Sequence, residues 1–270
     1  TPGHIDFTSE VQRALRVLDG GVVAFDGVAG VEPQSETVWR QADRYGVPRI
    51  AFVNKLDRPG ASVDHTAGMI RDRLKAHPVV VQMPIGREEN LRGVIDLVRM
   101  QALTGASEGN VEISAIPDEL VPEANERRDQ MVAALADVDD EIALRYIENE
   151  PVDAETFDHA LRQATIAGRA IPVLCGSSLK HVGVVPLLDA VLAYLPSPLD
   201  VPAITGQSAV DGEPVVCEAN ELEPLAALVF KVSTDPYVGK LSFFRVYSGV
   251  ITRGAEVTNA STGESARVGR

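Results

Sequence analysis

The residues best suited to chemistry in this chain are Asn54, Lys55 and Asp57, in the run Asn54-Lys55-Leu56-Asp57. The carboxylate of Asp57 can accept from two adjacent donors at once, a charge-assisted bidentate pair. Guanine offers such a pair in its ring N–H and exocyclic amine. Adenine lacks it on the matching edge and leaves a buried carboxylate unpaired, and a site built on that difference discriminates by roughly 10⁴-fold. Asn54 can tie neighbouring loops together, and the Lys55 stem can lie over the base plane. The plain alternative is a polar turn that follows a strand.

Two further stretches carry candidate chemistry. In Gly176-Ser177-Ser178-Leu179-Lys180 a backbone N–H can donate to guanine O6 while Leu179 covers the base. Thr1-Pro2-Gly3-His4 reads as a tight turn whose Gly3 lets its N–H approach a ligand closely. His4 is then placed to orient a water attacking a phosphate; the alternative is a terminal residue without a role.

The elements that must position these groups are legible around them. Arg49-Ile50-Ala51-Phe52-Val53 is an apolar run of the kind that forms a buried parallel strand. Arg58-Pro59-Gly60-Ala61 stops regular structure after the motif. Asn54 to Asp57 therefore fall at the carboxyl end of a strand, where open α/β sheets bind ligands. Strand 22–26, helix 33–45 and the strand before Asn54 make a βαβ unit with a right-handed crossover. A helix with Val11, Leu15 and Leu18 on one face precedes it, with Thr8 or Ser9 as N-cap and Gly20-Gly21 as its end. Trp39, Ala42 and Tyr45 are expected to pack. A helix over 64–76 and a strand over 79–83 follow.

From 84 to 168 the pattern changes to short strands (93–97, 111–116) and helices (122–136, 139–148, 154–167). This stretch is acidic at Glu119, Glu123, Glu126, Asp137, Asp139, Asp140 and Glu141, a solvated face or a docking surface for a basic partner. The apolar run Ile171–Cys175 returns to the core, and the helix 184–194 closes the unit with Leu187, Leu188, Val191 and Leu195 spaced for packing. Pro196 to Pro202 is a stiff linker. Strands 226–232, 241–247, 250–251 and 255–257 beyond it look like the first part of a β-barrel. The expected fold class is thus α/β, a mostly parallel sheet with an α+β insert, followed by a partial β-barrel. The expected domains are 1–202, containing an insert over 84–168, and 203–270, with sequence continuing beyond both ends.

Composition limits the partners. A chain of 270 residues, 45% of them hydrophobic, buries a substantial core. Its net charge of −14 disfavours a general nucleic-acid surface and allows a basic protein partner. No apolar run approaches the length of a membrane span, and no signal peptide opens the chain. Cys175 and Cys217 have no metal-ligand spacing and read as reduced thiols of a cytosolic protein.

Thr1-Pro2-Gly3-His4, Asn54-Lys55-Leu56-Asp57 and Gly176-Ser177-Ser178 occur in the order found in translational GTPases, and the chain resembles that family over its whole length. Residues 30–37, Gly93-Val94-Ile95-Asp96-Leu97 and residues 238–249 resemble the elongation factor G type in particular. The resemblance implies a P-loop-GTPase-like fold and ribosome-activated hydrolysis of GTP to GDP, coupled to movement of tRNA and mRNA. It implies that Thr1, Pro2 and Gly3 lie at the γ-phosphate and that His4 orients the water. Asn54, Lys55, Leu56 and Asp57 would hold guanine, with Ser177, Ser178 and Leu179 completing the pocket. It further implies Mg²⁺, with ligands outside these residues, and a cytoplasmic, monomeric protein. Its partners would be the ribosomal stalk, facing the acidic insert, and the large-subunit RNA loop that activates GTPases.

Departures from the family are specific. The Asp before Thr1, the phosphate-binding loop with its Lys and the magnesium-coordinating Thr are absent, so these residues alone are expected not to hydrolyse GTP. Ser178 stands where Ala is usual and Leu179 where Phe is common. A sister GTPase of ribosome protection or recycling shares most of these features. A non-hydrolysing guanine-nucleotide or stalk-binding module would lack Gly-x-x-x-x-Gly-Lys-Ser/Thr upstream.

Overall fold

The computed structural model describes residues 8–105, 111–208, 212–236 and 239–269. The elements follow in order: α1 (Thr8–Leu15), β1 (Gly21–Asp26), α2 (Pro33–Arg44), β2 (Arg49–Asn54), α3 (Val63–Leu74), β3 (Pro78–Val80), β4 (Gln82–Ile85), β5 (Gly93–Asp96), β6 (Gln101–Thr104) and β7 (Glu112–Ser114). Then come α4 (Val121–Ala136), α5 (Asp140–Ile147), α6 (Ala154–Ile166), β8 (Ile171–Cys175), α7 (Val184–Tyr194), β9 (Ile204–Gln207), β10 (Pro214–Cys217), β11 (Ala226–Asp235), β12 (Gly239–Ser248), β13 (Glu256–Thr258) and β14 (Ser265–Arg267). They divide into two compact units, 18–196 and a second one that joins 197–269 to the early residues up to Val17.

A parallel sheet of order β1-β2-β8-β3 forms the heart of the first unit. Every residue of β8, and all of β2 but Asn54, is buried. Strands covered on both faces need continuous apolar runs, as Ile-Ala-Phe-Val and Ile-Pro-Val-Leu-Cys supply. The parallel register sets Asp26 beside Asn54 and Val53 beside Cys175, so the carboxyl ends of three strands meet along one edge.

Local signals set the helices. Pro33 occupies the first turn of α2, where its missing N–H costs nothing. The Ser62, Asp139 and Asp153 side chains cap α3, α5 and α6 by accepting from His65, Ile142 and Thr156 N–H groups. Buried Leu135, Ile142, Phe157 and Leu161 join α4, α5 and α6 in one core cluster. Phe25, Trp39, Val53, Ile70 and Val173 lie in another.

The insert is α+β: an antiparallel sheet of order β4-β5-β6-β7 with α4, α5 and α6. The single strand expected over 79–83 is two. β3 pairs with the parallel sheet and β4 with the antiparallel one. Val81 between them donates to Val173 O and accepts from Leu97 N–H, linking the sheets. An apolar run cannot disclose such a change of partner, because side-chain pattern reports burial and not pairing. β6, four residues long with polar Gln101 and Thr104 at its ends, gave no signal.

Other expectations moved. α1 ends at Leu15, five residues before the glycine pair, and Leu18 is exposed; Tyr45 and Leu188 are exposed too. The N-cap expected at Thr8 or Ser9 involves side chains outside the described ones. In the second unit the strands pair antiparallel as β9/β10, β11/β12 and β13/β14, while 250–251 form no strand. α1 clusters with this unit, and within it Arg245 Nη1 donates to Val17 O at 2.7 Å.

Candidate functional site

Asn54 closes β2 and works in three directions. Its Nδ2 donates to Ser178 Oγ at 2.9 Å, and its Oδ1 accepts from Ser178 N–H at 2.9 Å and from Lys55 N–H at 2.8 Å. The two loops predicted to share a ligand are thus joined side chain to backbone across 124 positions of sequence. Backbone bonds add to the clamp: Leu56 N–H donates to Gly176 O (3.1 Å), Gly176 N–H to Val53 O (3.0 Å) and Gly27 N–H to Asn54 O (2.8 Å). Gly176 is required here because a Cβ would sit 2.1 Å from Val182 O.

Lys55 takes a left-handed backbone, φ 64, which a non-glycine residue adopts only under surrounding constraint. Its Nζ pairs with Asp26 Oδ2 at 2.7 Å. Asp26 Oδ1 meanwhile accepts from Val28 and Ala29 N–H, turning the chain out of β1. The Lys55 hydrogen bond first, then those backbone donors, hold the Asp26 carboxyl well below its ordinary value, at about 2. A depressed pKa in the fold means that the pair stabilises it at pH above the ordinary carboxylate range, and that this stabilisation is lost as pH falls through about 2. A carbon-detected NMR titration of Asp26 should therefore show a midpoint near 2; an ordinary carboxylate midpoint would mean that the pair does not form in solution.

Asp57 is the chemically telling residue. Its Oδ1 is enclosed and has no hydrogen-bond partner among the described residues. The Ser177 hydroxyl, ahead of weaker pulls from Lys180 and Arg58, outweighs burial and lowers its pKa, so the group is ionised and acceptor-only. An enclosed acceptor without a partner is unusual in a folded protein and carries a desolvation cost.

The remaining predicted residues divide. Ser177 is fully buried, and its hydroxyl accepts from Lys180 N–H at 3.2 Å. Of the backbone N–H groups of the loop, that of Ser178 is engaged by Asn54. The amide of Leu179 has no partner among the described residues and is the donor left in that loop. The Leu179 side chain, 81% exposed, stands clear of the core. Leu56 turns inward, 5% exposed, and anchors the turn instead of facing a ligand. Lys180 Nζ ties the loop to Glu89 O at 2.9 Å. Thr1, Pro2, Gly3 and His4 lie outside the described residues. Among the described residues no three His, Cys, Asp or Glu side chains gather as metal ligands.

The sequence reading missed Asp26. Its polar side chain at the end of β1 was legible, but that it lies beside Asn54 is set by the strand register.

Residues 1–197 match the family described as the elongation factor Tu GTP binding domain, and residues 224–270 match elongation factor G domain 2. The chain is 53% identical over its full length to proteins named elongation factor G from Thermotoga petrophila and Thermotoga maritima, and spans 39% of each. A crystal structure of a Thermus thermophilus protein superposes with a TM-score of 0.79 at 28% identity, over 99% of this chain and 37% of that one. With the family match covering most of its length, the chain belongs to the family described as the elongation factor Tu GTP binding domain.

Proposed function

We propose that this protein binds GTP and GDP and hydrolyses GTP on the ribosome, as elongation factor G does, to drive tRNA and mRNA through translation. The observation that carries the base specificity is the ionised, acceptor-only Asp57 carboxylate, three residues after the Asn54 that clamps the Ser178 loop. Guanine's paired N–H donors suit an ionised carboxylate there, and the free Leu179 amide suits O6. The 53% identity to proteins named elongation factor G supports the ribosomal role. Residues 1–202 are the proposed GTPase domain, with 84–168 as insert and 203–270 as the start of the second domain. The protein is proposed to be cytoplasmic and monomeric; none of its described helices is long and apolar enough to cross a membrane.

Thr1, Pro2 and Gly3 are proposed to line the γ-phosphate and His4 to orient the attacking water, with the large-subunit RNA loop as activator. Mg²⁺ would neutralise developing phosphate charge; the described residues offer no ligand cluster for it, so no step here runs through it. In the full-length protein, a bound fluorescent GDP analogue should be displaced by GDP and GTP but not by ATP, and ribosomes should accelerate GTP hydrolysis. Displacement by ATP, or hydrolysis indifferent to ribosomes, would overturn the reading.

The insert is proposed to meet the basic domain of a ribosomal stalk protein. Its acidic residues are not equivalent in the fold. Glu123 holds Arg127 at 3.0 Å, and Asp139 caps α5, whereas Glu119 and Glu126 sit on the outer surface. Leu144 and Ile147 of α5 are exposed among those charges. Charge steers association and salt screens it. Glu119→Lys with Glu126→Lys should slow association with ribosomes at low salt and leave the rate at high salt nearly unchanged. A stopped-flow rate indifferent to both salt and substitution would remove the insert from docking.

A further inference from the structure

We propose that Asp26 is a positioning residue of the nucleotide site, acting on the base through Lys55; this rests on the guanine-binding reading above. The two oxygens of its carboxylate have separate tasks. Oδ1 accepts the Val28 and Ala29 N–H groups at 2.9 and 3.3 Å and shapes the turn after β1. Oδ2 accepts Lys55 Nζ at 2.7 Å. That turn is itself fastened to the site, since Gly27 N–H donates to Asn54 O at 2.8 Å and Ser62 N–H to Gly27 O at 2.9 Å.

Lys55 is thus held at both ends. Its left-handed backbone (φ 64) fixes where the side chain leaves β2, and Asp26 fixes where the ammonium finishes. Between them the aliphatic stem becomes a set surface against which a flat ring can lie. A lysine left free would have to surrender its rotamers when the base arrives, and ordering it beforehand removes that cost from binding. Asp26 need touch no ligand atom to do this. A stem lying on the ring face is also indifferent to which groups decorate the ring's edge, which is the business of Asp57. The two residues therefore predict different signatures.

The test is a double-mutant cycle read by equilibrium binding of GDP and IDP to the full-length protein. IDP lacks the exocyclic amine. Asp26→Asn keeps an oxygen for the Val28 and Ala29 amides and loses the charge that holds Lys55. It should weaken GDP and IDP binding by the same factor, about three- to tenfold, within the usual range of couplings between touching residues. In a Lys55→Met background the same change should cost less than about twofold, because the group it acts through is gone. Asp26→Glu, which restores the charge one methylene further out, should recover part of the loss. Equal costs in both backgrounds, or no cost in either, would overturn the proposal and leave Asp26 as a turn residue. The guanine reading fails separately, and this proposal with it, if the unmodified protein binds GDP no better than ADP.

Discussion

Replacing Asp57 by Asn is expected to move nucleotide preference from GTP to xanthosine triphosphate. The carboxylate is kept ionised by the Ser177 hydroxyl and offers only acceptors. Guanine brings two N–H donors to that edge. The amide of Asn brings one acceptor and one donor, so the exocyclic amine of guanine would face an amide N–H, donor against donor. Xanthine replaces that amine with a carbonyl, and the pairing is restored. Sites built to pair one edge reject the mismatched one by on the order of 10⁴-fold, because a buried polar group is left without a partner. Asn is nearly isosteric with Asp, so the turn carrying it should survive. Competition of GTP and xanthosine triphosphate for the full-length variant reads the switch directly; a variant that still prefers GTP would mean that Asp57 does not face the base.

His4→Ala should abolish most ribosome-stimulated hydrolysis while sparing nucleotide binding. Phosphoryl transfer asks little covalent chemistry of the protein, so rate comes from placing the water and stabilising spreading charge. The Thr1-Pro2-Gly3 turn would put the next side chain beside the attacking water, where imidazole can hydrogen-bond and a methyl group cannot. Losing a positioning or general-base group costs about 10²–10⁴-fold. GTP affinity should stay within a few-fold, since the proposed contacts to the base are elsewhere, at Asn54, Lys55 and Asp57. Lost turnover with retained binding is the signature of a group that acts in the transition state. Single-turnover hydrolysis on ribosomes near the unmodified rate would reduce His4 to a structural residue.

How far the sequence reaches differs from element to element. Ile50 to Val53 and Ile171 to Cys175 declared themselves as buried strands, because a strand covered on both faces has no polar position to spare. Pro33 marked the start of α2 for a local reason, a missing donor, whereas the caps at Ser62, Asp139 and Asp153 emerged only in the structure. The motif at Asn54 to Asp57 was legible together with its place at a strand end, since Pro59 and Gly60 follow at once.

Only the tertiary structure decided who meets whom. The strand pattern over 79–83 carried no sign that Val81 divides two sheets. The α1 face that was expected to include Leu18 stops at Leu15, and the helix clusters with residues beyond 197. Ser178 spends its amide on Asn54, which passes the role of free donor to Leu179, and Leu56 faces the core in the midst of a binding motif. Asp26 and Lys55 stand 29 positions apart and are joined only because β1 and β2 align in parallel register. Burial pattern, caps and turn chemistry act within a few residues and are therefore written locally. Hydrogen-bond partnership across strands depends on the register and order of the sheet, which no single stretch of the chain contains.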